Sequence, residues 1–250
     1  MPTALVIEPL YLGVVIAMAL ASSIIGGISG FGAGLIITPL LLPVVGVKGV
    51  VPVVGVAMIV GNLARVFVYR ANIEPRVLLR MLVAILPGAV LGVWLYAILP
   101  AAILAVFIGS ILIASVPTRR YLARHRIAPP PAGVSAIAFL CGVLAGNAPG
   151  GGVIVITLLL SMGLSGPALL GTDAIIGTAL SLTNSVLFGT AGLLDGPRFL
   201  IGLAIGAAMI PGAFLARALL SRITAQTHIL IVEIFIVFGG VSFYWAAINS

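Results

Sequence analysis

Two glycine clusters lie within apolar stretches of the sequence, at Gly26–Gly34 and at Ala145–Gly152. The second reads Ala-Gly-Asn-Ala-Pro-Gly-Gly-Gly, and its proline and three consecutive glycines each weaken or interrupt a helical hydrogen-bond ladder. A backbone group freed in this way is costly where it faces lipid, so such a break survives only inside protein or beside a water-filled cavity. Two breaks at matching places in two halves of a chain are typical of a transporter's binding site.

A helix that restarts after glycine presents unpaired backbone N–H groups and the positive end of its dipole. Two inverted copies would direct two such ends at one point near the middle of a bilayer, which suits an oxyanion without a full buried cation. The side chains of Ser29, Thr38 and Asn147 are candidates for additional hydrogen bonds. The alternative is close helix packing through small residues. The predicted binding glycines are Gly32, Gly34, Gly150, Gly151 and Gly152.

Polar side chains inside apolar segments form a second group of candidates. Asp173 follows Thr172 in one such segment, and an intramembrane carboxylate is costly and functional by default. Asp173 is predicted to take up and release a proton, coupling anion movement to a proton gradient; the alternatives are a structural ion pair and a position near enough to the inner surface to be wet. Asn62, a predicted substrate ligand, shares a helical face with Arg65. Arg65 is predicted to attract anions; pairing with Asp173 and extension to the lipid headgroups are the alternatives.

Two further sets of residues have a structural and a functional interpretation. Ser181 and Asn184 share a helical face, and they either line the pathway or bridge helices. Glu233, in the last apolar run, is expected to pair with Arg217 or Arg222.

Composition identifies the class of protein. Of 250 residues, 62% are hydrophobic and only 7% are charged, and the mean hydropathy is +1.36. A soluble domain carries about a quarter charged residues, whereas this chain has room for about eight to ten membrane segments of roughly 20 residues. The net charge of +7 does not indicate nucleic-acid binding, because Lys and Arg lie at segment ends as topology signals. One cysteine, Cys141, excludes an internal disulfide, and no metal or cofactor site is expected.

The sequence contains an internal duplication. Residues 37–42, Ile-Thr-Pro-Leu-Leu-Leu, resemble residues 155–160, Val-Ile-Thr-Leu-Leu-Leu. Leu86–Ala89 resembles Ile210–Ala213 in the same order and at a similar offset. We therefore predict a first transmembrane repeat over residues 1–117 and a second over residues 132–250. The Arg- and Pro-rich stretch 118–131 is predicted to be a cytoplasmic linker, extended and semi-rigid because of its prolines.

Charge also predicts that the two halves are inverted. Arginines place the loop at Glu74–Arg76 and the linker in the cytoplasm, whereas the corresponding loop at Asp195–Arg198 falls outside. An inversion requires an odd number of segments in each half. The predicted fold is an all-α polytopic membrane protein with two inverted repeats of about five helical segments each. Each half contains a glycine-broken or re-entrant helix pair.

Several of these motifs resemble the sulfite exporter TauE/SafE family. They are the glycine-rich break entering a short Ile/Leu run with Pro39, its repeat at Gly150–Gly152, and the Gly171-Thr172 step. The resemblance covers nearly the whole chain and implies a membrane protein with a duplicated half. It also implies transport of small sulfur-containing or organic anions, such as sulfite, sulfonates and sulfoacetate-like compounds. The first half departs from the pattern, with Gly32-Ala33-Gly34 at the break and Gly55-Val56 in place of Thr172-Asp173.

The functional prediction is a secondary transporter of such anions in the plasma or inner membrane, crossing it several times. We expect proton coupling and a substrate held between the broken helices near the midplane. A passive anion channel or pore of the same architecture is the alternative. The sequence has no nucleophile-elbow, zinc-protease or phosphate-loop motif, so an enzyme is not predicted. The expected partners are the small anion and the lipid bilayer, without nucleic acid or cofactor; homo-oligomerisation is left open.

Overall fold

The computed structural model describes residues 9–30, 32–125, 131–147, 152–219, 237–238 and 240–248. All regular structure within these ranges is helical. The helices, in chain order, are α1 Pro9–Ser29, α2 Ala33–Val45, α3 Val47–Tyr69, a 3-10 turn at Arg70–Asn72, α4 Pro75–Ile98, α5 Ala101–His125, α6 Pro131–Asn147, α7 Gly152–Ser161, α8 Gly166–Thr190 and α9 Gly196–Leu219. Residues 240–248 are also helical.

The outer surface of the helices is apolar. In the described part of the chain, three stretches are long and apolar enough to cross a membrane by length and composition: Val47–Asn72, Pro75–Ile98 and Gly196–Leu219. Large hydrophobic side chains on these helices are exposed, including Val83 at 69% and Leu200 at 65%. Extensive exposed apolar surface is expected where lipid replaces water. The predicted all-α membrane fold is thereby confirmed.

The helices pack in a two-fold symmetric pattern. Helix α4 packs on α6, as α9 packs on α1, and α3 packs on α9, as α8 packs on α4. The remaining large contact joins α3 to α8, which are each other's counterparts in the two halves. If α1, α2, α3 and α4 are exchanged with α6, α7, α8 and α9, respectively, the same set of helix contacts results. A two-fold rotation relating two duplicated halves produces this pattern.

Helices α3 and α8 run antiparallel. A Cβ added at Gly55 in α3 would lie 3.4 Å from the Ser185 hydroxyl in α8. Further along α3, Arg65 pairs with Asp173, which lies earlier in α8. Residue numbers therefore rise along one helix as they fall along the other. A two-fold axis that exchanges antiparallel helices lies across them, which is the geometry of inverted repeats.

Small residues bring the backbones of α4 and α6 into direct contact. A Cβ on Gly142 would overlap the carbonyl oxygen of Ile85, and one on Gly88 would overlap that of Phe139. Lipid tails are as apolar as leucine, so membrane helices associate largely through such close packing. In the symmetric α1–α9 contact, Ser23 donates a hydrogen bond of 2.6 Å to the carbonyl of Met209.

The predicted linker differs from the structure over its first part. Helix α5 continues through Pro117 to His125, so the stretch Thr118–His125 is helical and not extended. Arginine is a good helix former, and this stretch contains three of them. Residues 126–130 lie outside the described residues. Helix α6 begins at Pro131, and proline is tolerated there because the first N–H of a helix has no partner within the helix.

The α4–α6 contact predicts the effect of one added methyl group. We expect Gly142→Ala to lower the free energy of unfolding by about 1–3 kcal/mol, because the methyl group overlaps the Ile85 carbonyl. The measurement is the melting temperature of the purified protein in detergent. Gly189→Ala in α8 is the matched control, since nothing lies within 4 Å of its added Cβ. Equal melting temperatures for the two variants would contradict the packing argument.

Candidate functional site

A cavity of about 140 Å³ lies between the two halves. Its volume is enough for several water molecules or a small ion. The lining residues from the first half are Gly26, Gly30, Gly32, Ala33, Gly34, Leu35, Val51, Val54, Gly55, Met58, Asn62 and Arg65. Those from the second half are Ala145, Gly152, Val155, Asp173, Ile176, Gly177, Leu180, Ser181 and Asn184.

Both glycine breaks bring the start of a helix to this cavity. Helix α2 begins after Gly32, whose φ of 100° lies in the left-handed region that favours glycine. No side chain caps this start. Helix α7 begins at Gly152. The first N–H groups of each helix have no partner within it and carry the positive end of the dipole, so both N-termini border one cavity.

The central helices brace the ends of the two broken helices. The Tyr69 hydroxyl of α3 donates to the carbonyl of Gly27 near the end of α1, at 3.5 Å. In the other half, the Asn184 amide nitrogen of α8 donates to the carbonyl of Ala145 near the end of α6, at 3.0 Å. The last carbonyls of a helix have no partner within it. Helices α3 and α8 thus each satisfy a carbonyl next to a break.

A buried ion pair lies in the cavity wall. Arg65 Nη2 lies 2.7 Å from Asp173 Oδ2, and the two side chains are only 7% and 8% exposed. The same guanidinium donates from Nη1 to Asn62 Oδ1 at 3.2 Å and from Nη2 to the carbonyl of Leu170 at 3.5 Å. Its Nε is buried without a partner. Of the alternatives for Arg65, the structure shows pairing with Asp173.

Two asparagines present opposite hydrogen-bonding groups. Because Asn62 Oδ1 accepts from Arg65, its amide nitrogen is left to donate. Asn184 has the reverse arrangement: its nitrogen donates to Ala145, and its Oδ1 is buried without a partner. The cavity therefore has a donor beside the arginine, while towards the opposite end of the α3–α8 contact a buried acceptor is left without a partner.

The structure places six of the predicted site residues on the cavity wall. They are Gly32, Gly34, Asn62, Arg65, Gly152 and Asp173. Asn147 is the last residue of α6, and Gly150 and Gly151 lie outside the described residues.

Three predicted hydroxyl groups are not on that wall. Ser29 donates to the carbonyl of Ile25, and Thr38 to that of Gly34 at 2.7 Å, which is the usual bond of a hydroxyl inside a helix. The Thr172 hydroxyl accepts from the backbone N–H of Glu74 at 3.1 Å and so joins α8 to the loop before α4.

The apolar part of the wall was not predicted, although its signal is present in the sequence. In α3, lining residues recur every three or four positions and end at Arg65, which defines one helical face. Ser181 and Asn184 also line the cavity, and Asn184 in addition bridges α8 to α6, so both interpretations of that pair hold. Glu233 and Arg222 lie outside the described residues, while Arg217 donates to the carbonyl of Val68 at 2.8 Å.

A comparison with protein families gives one match, and its extent includes the cavity. A family model described as "Sulfite exporter TauE/SafE" matches residues 14–243. No curated protein and no solved structure matches the chain. The matched stretch contains both glycine breaks and all the lining residues, and it confirms the resemblance drawn from the glycine motifs.

The buried ion pair predicts that removing one partner destabilises the protein more than removing both. Asp173→Leu leaves a buried guanidinium that cannot lose its charge. We expect this substitution to lower the free energy of unfolding by about 3–5 kcal/mol. Arg65→Met should cost less, because the remaining carboxyl group can take up a proton. The double variant should recover most of the loss, as buried pairs are often replaceable by apolar residues. Melting temperatures of the four proteins check this, and a double variant as unstable as the sum of the singles would contradict it.

Proposed function

The chain belongs to the sulfite exporter TauE/SafE family, which consists of membrane transporters and not enzymes, and we propose that its substrate passes through the cavity beside α3 and α8. The proposed substrate is a small sulfur-containing or organic anion, such as sulfite or a sulfonate. The proposed location is the plasma or inner membrane, which the chain crosses several times.

The observation that carries the proposal is the joint position of two helix starts and one guanidinium at a single cavity. Anions are stabilised at helix N-termini by free N–H groups and by the dipole. The Asn62 amide adds a neutral donor beside Arg65. Together these groups offer an anion several preorganised hydrogen-bond donors within the membrane.

Asp173 supports a role for the ion pair in coupling. Arg65 and Asp173 are the charged residues among those found lining the cavity, and they neutralise each other. A substrate anion that binds Arg65 takes the place of the carboxylate, which is then left unpaired in a buried site. An unpaired buried carboxylate is very unfavourable, so it takes up a proton. One proton is thereby bound together with each anionic charge that binds Arg65, and the two cross the membrane in the same direction.

This coupling predicts a measurable effect of a pH gradient. In proteoliposomes with the membrane potential clamped, a gradient of one pH unit should drive about tenfold accumulation of sulfite for one coupled proton. Asp173→Asn should remove this accumulation and leave only downhill flux. Asp195→Asn is the matched control, because Asp195 forms an exposed ion pair with Arg198 at 3.0 Å, away from the cavity.

Two outcomes would contradict parts of the proposal. Sulfite flux through the wild-type protein that ignores the pH gradient would favour a passive channel. Gradient-driven accumulation that survives in Asp173→Asn, at the level of Asp195→Asn, would remove Asp173 from the coupling step.

A further inference from the structure

Helices α3 and α9 run parallel, so their last turns reach the same side of the membrane. A Cβ on Gly202 of α9 would overlap Val56 of α3, and one on Gly206 would overlap Val60. Residue numbers thus rise together along the two helices. The arginines of the loop after α3 predict that this loop is cytoplasmic, and both last turns then lie at the cytoplasmic membrane surface.

Each of these two helix ends carries an arginine, with a phenylalanine one turn further into the membrane. Arg70 follows α3 in the 3-10 turn, and its guanidinium carbon lies 4.6 Å from the centroid of the Phe67 ring. Arg217 lies in the last turn of α9, three positions after Phe214 and so on the same face. The two rings are neighbours, with centroids 6.3 Å apart. Two cations therefore border two adjacent rings on one surface.

This surface is apolar towards the membrane interior and positively charged at the helix ends. Phe67 and Phe214 are both exposed. Arg217 Nη1 donates to the carbonyl of Val68 at 2.8 Å, which holds its guanidinium against α3. In the described part of the chain, no carboxylate lies within ion-pairing distance of Arg70 or Arg217. The two cations therefore favour an anion from outside the protein.

The duplication indicates that the fold itself does not require these side chains. The α3–α9 contact corresponds to the α8–α4 contact. With Gly55 aligned to Gly177 and Pro87 to Pro211, the corresponding positions carry two glycines and two valines. They are Gly189 for Phe67, Gly192 for Arg70, Val90 for Phe214 and Val93 for Arg217. A topology signal accounts for an arginine on the cytoplasmic side, but not for a ring beside each arginine.

We propose that this surface binds an anionic phospholipid of the cytoplasmic leaflet. The phosphate accepts hydrogen bonds from the guanidiniums of Arg70 and Arg217, whose planar forks match its oxygens. An acyl chain of the same lipid lies along the rings of Phe67 and Phe214. A free phosphate ion lacks this chain and a zwitterionic lipid lacks the net charge, so both bind more weakly. Basic surfaces between membrane helices on this side are typical of sites for anionic lipids.

A lipid bound here stabilises α3 and α9 next to the first helix break. Arg217 bonds to Val68, and the following residue, Tyr69, donates to the carbonyl of Gly27 beside the break. A Cβ on Gly27 would also overlap that of Ala216. A ligand that binds only the folded protein raises its melting temperature by mass action.

Two phospholipids with the same acyl chains and different headgroups test the proposal. Melting temperatures of the purified protein in detergent are compared after addition of phosphatidylglycerol, phosphatidylcholine or inorganic phosphate. At about ten times its dissociation constant, phosphatidylglycerol should raise the wild-type melting temperature by about 3–6 °C more than phosphatidylcholine does. Arg70→Gln and Arg217→Gln should each lose most of this difference. Arg76→Gln, the matched control, should keep it, because it removes one exposed charge at the same membrane surface, in the first turn of α4.

Equal shifts with the two phospholipids would overturn the proposal, as would a difference that persists in Arg70→Gln. A loss in Arg76→Gln as large as that in Arg70→Gln would also overturn it, because a general surface potential would then explain the preference. A shift of the same size with inorganic phosphate, lost in Arg70→Gln, would indicate a site for free anions instead. If Arg217→Gln does not fold, Arg70→Gln decides, since Arg70 is exposed. The four side chains are not among those found lining the cavity, so each of these results leaves the proposed anion pathway intact.

Discussion

A backbone N–H or C=O group cannot face hydrocarbon unpaired without a large free-energy cost, and this constraint organises the protein around its two helix breaks. The chain leaves α1 after Ser29 and restarts as α2 at Ala33, so several backbone groups lose their partners within a helix. The first break is enclosed by protein: a Cβ on Gly30 would overlap Ile156 of α7 and lie 3.4 Å from Leu170 of α8. The second half therefore covers the break of the first, and the outer contacts α1–α9 and α4–α6 hold the halves in that position.

The antiparallel contact between α3 and α8 combines support of the breaks with the chemistry of the cavity. Tyr69 and Asn184 bond carbonyls next to the two breaks, and the same two helices supply the ion pair and most of the apolar wall. A glycine at position 177 leaves the space into which the Asn62 amide fits. A change in the α3–α8 contact consequently alters the breaks and the polar groups together.

Sequence reasoning located the cavity better than it located the hydrogen bonds inside it. The glycine clusters were sufficient to predict two broken helices, because no ordinary span tolerates Pro-Gly-Gly-Gly. The orientation of hydroxyl groups was not predictable in the same way. Thr38 bonds the carbonyl of Gly34 within its own helix, which is always available to a threonine and needs no tertiary partner. The partner of Arg65 lies 108 positions away in sequence, so choosing among its alternatives required the register of α3 against α8.

The duplication makes the two ends of the cavity similar in backbone and different in charge. Residues Gly55–Asn62 align with Gly177–Asn184, with glycine, alanine and asparagine at matching positions, and at that offset Val51 corresponds to Asp173 and Leu187 to Arg65. The ion pair at one end thus has two apolar residues as its counterpart at the other. Separating Arg65 from Asp173 would leave two buried charges unpaired unless a third charge compensates them, whereas the apolar counterparts carry no such cost. The helix contacts are symmetric between the halves, whereas the Arg65–Asp173 pair makes the distribution of charge asymmetric.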